Sequence, residues 1–392
     1  MTVTFALFTH FYSDDRVWFH QAASLNKLCD VNIVSAYSFL DGQCVDNQNI
    51  NNIAVSQFNH ANFKRGEAFN LMAELISKGS PDVIVCDSPM AAVASKVYKD
   101  KFDSNVVVIQ DVTEWYPSKK NLFGLSGPKK LLKKIVLTFV NFYSGIVSDG
   151  FIFGEKDKAS MFRSFVKKKP FVFLPYYPDL QYINMQDVAL PITCWNLCYC
   201  GNLTEEKGFF KVCAIVDRIA GAMPSIQFKF NIIGAKSDDV IPTFNRDNMS
   251  VSAKPFLPFE TFCKTIPENH VFFDLREIDE ENDKCLPIKL FYYMACGRPV
   301  VFSELSAIKA AVPEYQQIGA FLKDDVIENA VSYLQELIAS ADNASAGENT
   351  LYMQQSDKAY TLYREKYNWK SIEKTFVDFI HSFQNKGDEK KQ

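Results

Sequence analysis

The chain has 392 residues, 47% of them hydrophobic and 22% charged, with a formal net charge of −4. That length exceeds what one hydrophobic core ordinarily supports, so two domains are predicted, and the composition excludes a disordered chain. The acidic balance argues against a nucleic-acid binder, and no apolar run reaches the roughly 18 residues that a bilayer-spanning helix needs.

In chain order, Thr2–Thr9 reads as a strand, Arg16–Leu28 as a helix and Val31–Ala36 as a strand. The opening "MTVTFALFTHFYSDD" has no basic n-region, so it reads as the first strand of a mature protein and not as a signal peptide. "PDVIVCD" (81–87) follows as a strand after a turn proline, then a helix over 89–100 and a strand, "NVVVIQD" (105–111). A helix at about 128–143, a strand at 146–153, a helix at 155–166 and a strand at 171–174 complete the first series. "PYYPDLQYINMQDVALPIT" carries three prolines and little periodicity and reads as a linker. A second series begins with the strand "CWNLCYC", a helix over Glu205–Ala222, the strand "IQFKFNIIG" and the strand "HVFFDL". "LPIKLFYYMACGRPVVFS" (286–303) then reads as helix, glycine stop and strand. "DNASAGEN" (342–349) reads as a loop, and the remainder to about Phe383 as helical.

Short β-branched runs separated by helices are the signature of parallel sheets covered on both faces. The predicted architecture is α/β, with two doubly wound, Rossmann-like domains facing a cleft. The domains are 1–175 and 194–347, joined by a linker at 176–193. Helices at 348–383 are expected to pack back toward the first domain, and 384–392 is expected to be a disordered tail.

The ten cysteines sit singly, with no CxxC pair, and the five histidines are scattered. They read as reduced thiols in a cytoplasmic protein with no metal site and no cofactor. Residues 1–175 hold 20 Lys and Arg against 16 Asp and Glu, whereas the rest hold 22 against 30. Much of the positive charge lies in Lys129, Lys130, Lys133 and Lys134, which alternate with Leu131, Leu132, Ile135 and Val136. Two readings stand: a helix lying on an anionic membrane surface, or a core-facing helix with a solvated lysine face.

No GxGxxG, Walker A, GxSxG or HExxH motif occurs. Two strand–turn–helix junctions remain. In "CYCGNLTEEKGFF" (198–210) a strand ends at Gly201, Thr204 is a candidate N-cap and Lys207 its N3 residue. In the second junction Pro287 opens a helix and Lys289 lies in its first turn, where the dipole disfavours a cation unless an anion is bound. Taken alone, the first also reads as an ordinary βα turn with a surface lysine, and the second as a core helix with an unremarkable lysine. Together they read as two helix mouths suited to a diphosphate.

These residues resemble a known family. "YCGNLTEEKGFF…FNIIG" followed by "LPIKLFYYMACGRPVV" is similar to the retaining, nucleotide-sugar-dependent glycosyltransferases of family 4, of GT-B fold, and most of all to the bacterial capsule and lipopolysaccharide branch. "DDRVWFHQAASLNKLCDVNIVSAYS", "QDVTEWYP" and "FVFLPYYPDL" resemble its N-terminal motifs, so the likeness runs over almost the whole chain.

The resemblance implies transfer of a sugar from a nucleoside diphosphate donor to a glycan or lipid-linked glycan, without a metal, in cell-surface polysaccharide synthesis. It implies donor-diphosphate contacts from Gly201, Asn202, Lys207 and Lys289, with Lys207, Lys289 and Glu114 as catalytic groups. Gly234 and Tyr292 would serve the nucleoside and ribose, and His10, Arg16, Asp111 and Glu114 the acceptor side. Three positions depart from the family pattern: Asn202 replaces an arginine, Lys284 and Tyr292 replace a glutamate pair, and Thr113 replaces a histidine. A phenol at Tyr292 still offers a hydrogen bond, but no charge. Glu277, Asp279, Glu280, Glu281 and Asp283 form either a substitute carboxylate source or a solvated acidic loop. A degenerate, scaffolding relative and a nucleotide-sugar epimerase of the same fold are the alternatives.

Overall fold

A computed structural model describes residues 1–37, 45–114, 116–190, 192–342 and 349–384. The expected loop at 342–349 and the expected tail at 384–392 fall almost wholly outside the described residues. The chain forms two compact units, Met1–Tyr176 with the segment from Ile372, and Tyr177–Ser371.

Unit 1 is built on eight strands: β1 (Thr2–Leu7), β2 (Asp30–Ser35), β3 (Val45–Ile50), β4 (Ile53–Gln57), β5 (Val83–Cys86), β6 (Val107–Val112), β7 (Gly150–Phe153) and β8 (Phe171–Phe173). Their order is β3-β4-β2-β1-β5-β6-β7-β8. All neighbours are parallel except β3 against β4. The central strands are buried end to end, which is why they read as short, unbroken apolar runs.

The β3–β4 hairpin and the helix Arg65–Ser77 are absent from the sequence reading. The hairpin turns on Asn51 and Asn52, both at positive φ (52° and 66°), a two-residue loop that asparagine tolerates. The helix begins with the Lys64 N–H donating to Glu67 Oε2 at 3.0 Å.

The expected helix Arg16–Leu28 is instead a turn of π-helix, Val17–Ala22, running into a short α-turn, Ala23–Leu25. The wide turn has a visible purpose. Arg16 and Gln21, five residues apart, come onto one side, and both reach Asp111. The expected helix at 155–166 is mostly 3-10, over Lys156–Phe162.

Unit 2 holds six parallel strands, β9 (Cys194–Cys200), β10 (Gln227–Ile233), β11 (Met249–Lys254), β12 (Val271–Asp274), β13 (Val300–Ser303) and β14 (Gly319–Leu322), ordered β11-β10-β9-β12-β13-β14. Its core is apolar, with Trp195, Tyr199, Val216, Phe230 and Leu334 among the buried residues. The proline-rich stretch after Tyr176 folds onto this unit: Tyr177 packs edge-on against Phe291, and Arg298 donates to the carbonyls of Gln186, Pro267 and Asn269. The C-terminal helices divide between the units. Leu351–Glu365 belongs to unit 2, whereas the helix Trp369–His381 enters unit 1 from Ile372.

The basic helix spans Gly127–Val147. Of the two readings of its amphipathic pattern, burial of the apolar face is overturned: only Leu137, Asn141, Ser144, Gly145 and Val147 are buried. Its apolar positions from Leu131 to Ile146 point largely to solvent, Phe139 at 67% exposure. The nine cysteines among the described residues are free thiols. Among those residues, no helix is long and apolar enough to cross a membrane.

Candidate functional site

In an open parallel sheet, ligands bind beyond the carboxyl ends of the strands, where the strand order reverses direction. In unit 2 the chain proceeds outward from β9 to β10 and β11, then returns to lay β12, β13 and β14 on the other side. The reversal therefore lies between β9 and β12, and both strands end in chemistry there.

Asp274, the last residue of β12, is fully buried and receives three charged donors. Arg276 donates through Nε at 2.9 Å and Nη2 at 2.5 Å, and Lys289 Nζ lies at 3.1 Å. Burial alone would raise the Asp274 carboxyl, but Arg276 and Lys289 hold it well below the usual carboxylate range. Asp274 in turn keeps the buried Arg276 guanidinium charged. Two cations against one carboxylate leave the centre with a surplus positive charge. Lys289 also donates to the Cys200 carbonyl at 2.5 Å, at the end of β9.

Three glycines shape the space around this centre. Gly201 follows β9 at φ 141°, and a Cβ there would lie 3.2 Å from Lys289 Nζ. Gly234 follows β10 at φ 112°, where a Cβ would meet the Gly201 carbonyl at 2.7 Å. Tyr199 OH donates to the Asn202 carbonyl at 2.7 Å and fixes the turn between them. Gly201 and Gly234 therefore let the ends of β9 and β10 pack closely against each other and against Lys289, their N–H groups donating to the Ile233 and Lys254 carbonyls.

The third glycine corrects a helix boundary. The helix expected from Glu205, with Thr204 as N-cap, begins at Phe209, and its N-cap is Gly208 at φ 74°. A Cβ on Gly208 would sit 2.0 Å from the Leu275 carbonyl, so only glycine lets this turn pass the end of β12. Lys207 therefore lies in the turn before the helix, its Nζ 2.9 Å from Glu206 and its N–H facing Thr204 Oγ1 at 3.4 Å. Gly208→Ala is expected to cost about 3 kcal/mol or more, measured by urea unfolding, because the new Cβ meets backbone and positive φ together.

Unit 1 reverses between β1 and β5, and polar residues gather there too. Asp87, buried just beyond β5, accepts from the Phe8 and Thr9 N–H groups (2.9 and 3.0 Å), the Thr9 hydroxyl (3.0 Å) and His10 Nδ1 (2.8 Å). Burial alone would lower the His10 pKa. The bond and charge of Asp87, with Asp14 and Glu114 nearby, carry it up to about 9 instead. Burial and the neighbouring Asp15 push Asp14 up to about 6. Asp111 is buried between Arg16 (2.7 Å) and Gln21 (2.9 Å).

A small cavity of about 60 Å³ is lined by Asp87, Asp111, Glu114 and Thr9, among others. A larger one, of about 630 Å³, is lined by Thr9 with Phe8, Tyr37, His60, Phe63 and Arg65. The larger cavity sets aromatic rings beside Arg65, a lining that suits a polyhydroxylated ligand whose C–H faces stack, while the carboxylates line the smaller one.

This architecture recurs in solved structures over essentially the whole chain. Sucrose-phosphate synthase from Thermosynechococcus elongatus aligns over 98% of this chain and 99% of its own, with TM-score 0.67 and 12% identity. An α,α-trehalose-phosphate synthase (UDP-forming) from Burkholderia vietnamiensis aligns over 97% and 98%, with TM-score 0.65 and 10% identity. Anabaena HepE in complex with UDP-glucose aligns over 97% and 100%, with TM-score 0.65 and 10% identity. The chain has the GT-B fold. No protein-family model and no curated protein sequence matches it.

Within this GT-B chain, the expected residues separate into two groups and a remainder. Gly201, Gly234 and Lys289 gather at the β9/β12 reversal, with Asn202 and Lys207 on the turn beside it. His10, Arg16, Asp111 and Glu114 gather around the β1/β5 reversal. Tyr292, expected at a ribose, is buried at 3% exposure, with its ring edge-on to Phe262 and Phe259, and serves the packing of its helix. Asp87, Asp274 and Arg276 are missing from the sequence reading. "FFDLR" and "VCDS" did signal them, since an acid ends a buried strand in both.

Proposed function

We propose that this GT-B protein is a glycosyltransferase. It moves a sugar from a nucleoside diphosphate donor, held by unit 2, to a glycan or lipid-linked glycan recognised by unit 1. The observation that carries the reading is the positive, glycine-shaped centre at the β9/β12 reversal. As the sugar–phosphate bond breaks, negative charge accumulates on the departing diphosphate. Lys289, Arg276 and Lys207 stabilise that charge, so the reaction needs no metal in this reading. Anabaena HepE, which shares the fold over 97% of this chain, has UDP-glucose bound in its structure, which supports a nucleotide-sugar donor here.

On unit 1, the ring faces of Tyr37, His60 and Phe63 offer a stacking surface for a sugar, and Glu114 and Asp111 offer carboxylates to its hydroxyls. Retention of configuration, a cytoplasmic location at the inner membrane face and a role in cell-surface polysaccharide synthesis follow the family-4 resemblance of the sequence. A binding or scaffolding role is the second reading, favoured by Tyr292: the position where the family carries a carboxylate is a buried phenol here.

Calorimetry with UDP, GDP, dTDP and their sugars tests the proposal. One of these is expected to bind, with Lys207→Ala and Lys289→Ala each weakening it about 10- to 100-fold, the loss of one charge-assisted contact. Absence of binding and turnover for every donor would overturn it. Binding without turnover, in a mass-spectrometric screen that includes lipid-linked acceptors, selects the scaffold.

A further inference from the structure

We infer that the Gly127–Val147 helix is a monolayer-embedding element that docks unit 1 on an anionic phospholipid surface. The helix presents Leu131, Leu132, Ile135, Phe139, Phe142 and Ile146 to solvent, each more than half exposed. At 100° per residue they fall in one arc of about 100°, the stripe by which an amphipathic helix meets an apolar phase. The opposite side faces inward in the C-terminal half, through Leu137, Asn141 and Ser144, and carries Lys129, Lys130, Lys133 and Lys134 in the N-terminal half. A large apolar arc turned away from the body of a unit, along one whole helix, marks an interaction surface and not a stray exposed side chain.

Charge decides the occupant. The 34 residues between Glu114 and Asp149 contain six lysines and no acid. At the other end of the helix, Lys169 Nζ donates to the Gly145 carbonyl at 2.9 Å and the Ile146 carbonyl at 2.8 Å, and the neighbouring Lys167 and Lys168 are exposed. Cations therefore lie at both ends of the apolar arc.

The arc itself asks for no directional partner. Thr138, at its edge, returns its hydroxyl to the Lys134 carbonyl at 2.8 Å. A surface that needs apolar contact and diffuse negative charge, without specific hydrogen bonds, matches a leaflet of anionic lipid. The lysines bar the helix from spanning, so it lies in the interfacial plane with its apolar stripe among the acyl chains.

The inference deepens the reading of a lipid-linked acceptor and rests on it for its purpose, but vesicle binding needs no donor and is measured without one. The full chain is expected to sediment with mixed phosphatidylcholine–phosphatidylglycerol vesicles and at least about tenfold less with phosphatidylcholine alone. The Leu132→Glu/Phe139→Glu variant is expected to lose sedimentation with both, while keeping its circular dichroism and unfolding midpoint, since both residues are exposed. Lys130→Glu/Lys133→Glu is expected to lose the preference for the anionic lipid.

Three results would overturn the inference: no sedimentation of the wild type with anionic vesicles, equal sedimentation of the apolar variant, or a solution dimer that Phe139→Glu dissociates while vesicles capture nothing. Lys207→Ala separates the two readings. Retained vesicle binding with lost donor binding leaves docking intact, and nucleotide-sugar binding by a protein that ignores vesicles leaves the transferase intact.

Discussion

Asp274→Asn is expected to cost unit 2 about 3–5 kcal/mol of stability, the penalty for breaking a buried ion pair while leaving its cations in place. The carboxylate is the only acid among the three charges of this centre, and it takes two bonds from Arg276 and one from Lys289. An amide in its place keeps one acceptor and presents a donor to a guanidinium. Lys289 then retains the Cys200 carbonyl, and Arg276 has lost its counter-charge at 7% exposure. The carbonyl of Arg276 also accepts from Ser303 at 2.6 Å, so the disturbance reaches β13. Trp195 and Trp369 are both buried in unit 2, and their fluorescence in a urea titration reads the loss. The double variant Asp274→Asn/Arg276→Met is expected to recover part of it, because no guanidinium is then left unpaired. A change below about 0.5 kcal/mol in the single variant would mean that the pair does not hold this end of the sheet. Because the Asp274 carboxyl is held below its ordinary range, its contribution is present above that range and is lost only as pH falls through the depressed value. Mild acid therefore leaves the centre intact.

Why was so much of the architecture legible, and so little of this centre? Strands β1, β5, β9 and β12 are covered on both faces, so each appears in the sequence as a short apolar run, and runs of that kind between helices specify parallel α/β sheets. The β3–β4 hairpin carries a different signal. β3 sits at the edge of the sheet with exposed polar residues, "VDNQNI", and its only cue is the Asn-Asn pair at the turn. Lys289 reads from the sequence as a cation at a helix mouth, where the helix dipole calls for an anion. Its standing anion is Asp274, 15 residues earlier, and no local pattern reveals that pairing because it exists only once the helix carrying Lys289 packs at the end of β12. Gly208 was visible as a glycine, but the Leu275 carbonyl that forbids a side chain there comes from another strand. Tyr292 shows the limit of a motif. The resemblance placed it at a ribose by position, whereas the adjoining Phe259–Thr265 helix supplies Phe259 and Phe262 to cover it. In each case local chemistry marked a residue, and long-range packing decided its role.

That dependence on packing gives unit 1 an alkaline weakness. Its pair, His10 and Asp87, joins the ends of β1 and β5 through one 2.8 Å contact. The folded pKa of His10 is raised, to about 9 from the ordinary 6.5. A raised cationic group contributes its full stability below the ordinary value and loses it as pH climbs through the folded one. Unit 1 is therefore expected to lose up to about 3 kcal/mol between pH 6.5 and 9.5, the free-energy equivalent of that displacement. Asp87 works in the opposite sense. Burial resists its ionisation, yet the bond from His10 and the Phe8 and Thr9 N–H groups depress its carboxyl, so its share fades only in acid. Asp14 and Glu114 also act on His10, and both favour the cation. In His10→Gln the neutral amide still donates to Asp87, and the alkaline slope disappears, leaving a flatter profile. Urea midpoints of the two proteins, measured across that range, check the prediction: parallel profiles would show that the imidazole does not titrate in the fold. Loss of slope in His10→Gln, with the nucleotide affinity of unit 2 unchanged, would confine the effect to the unit that carries the pair.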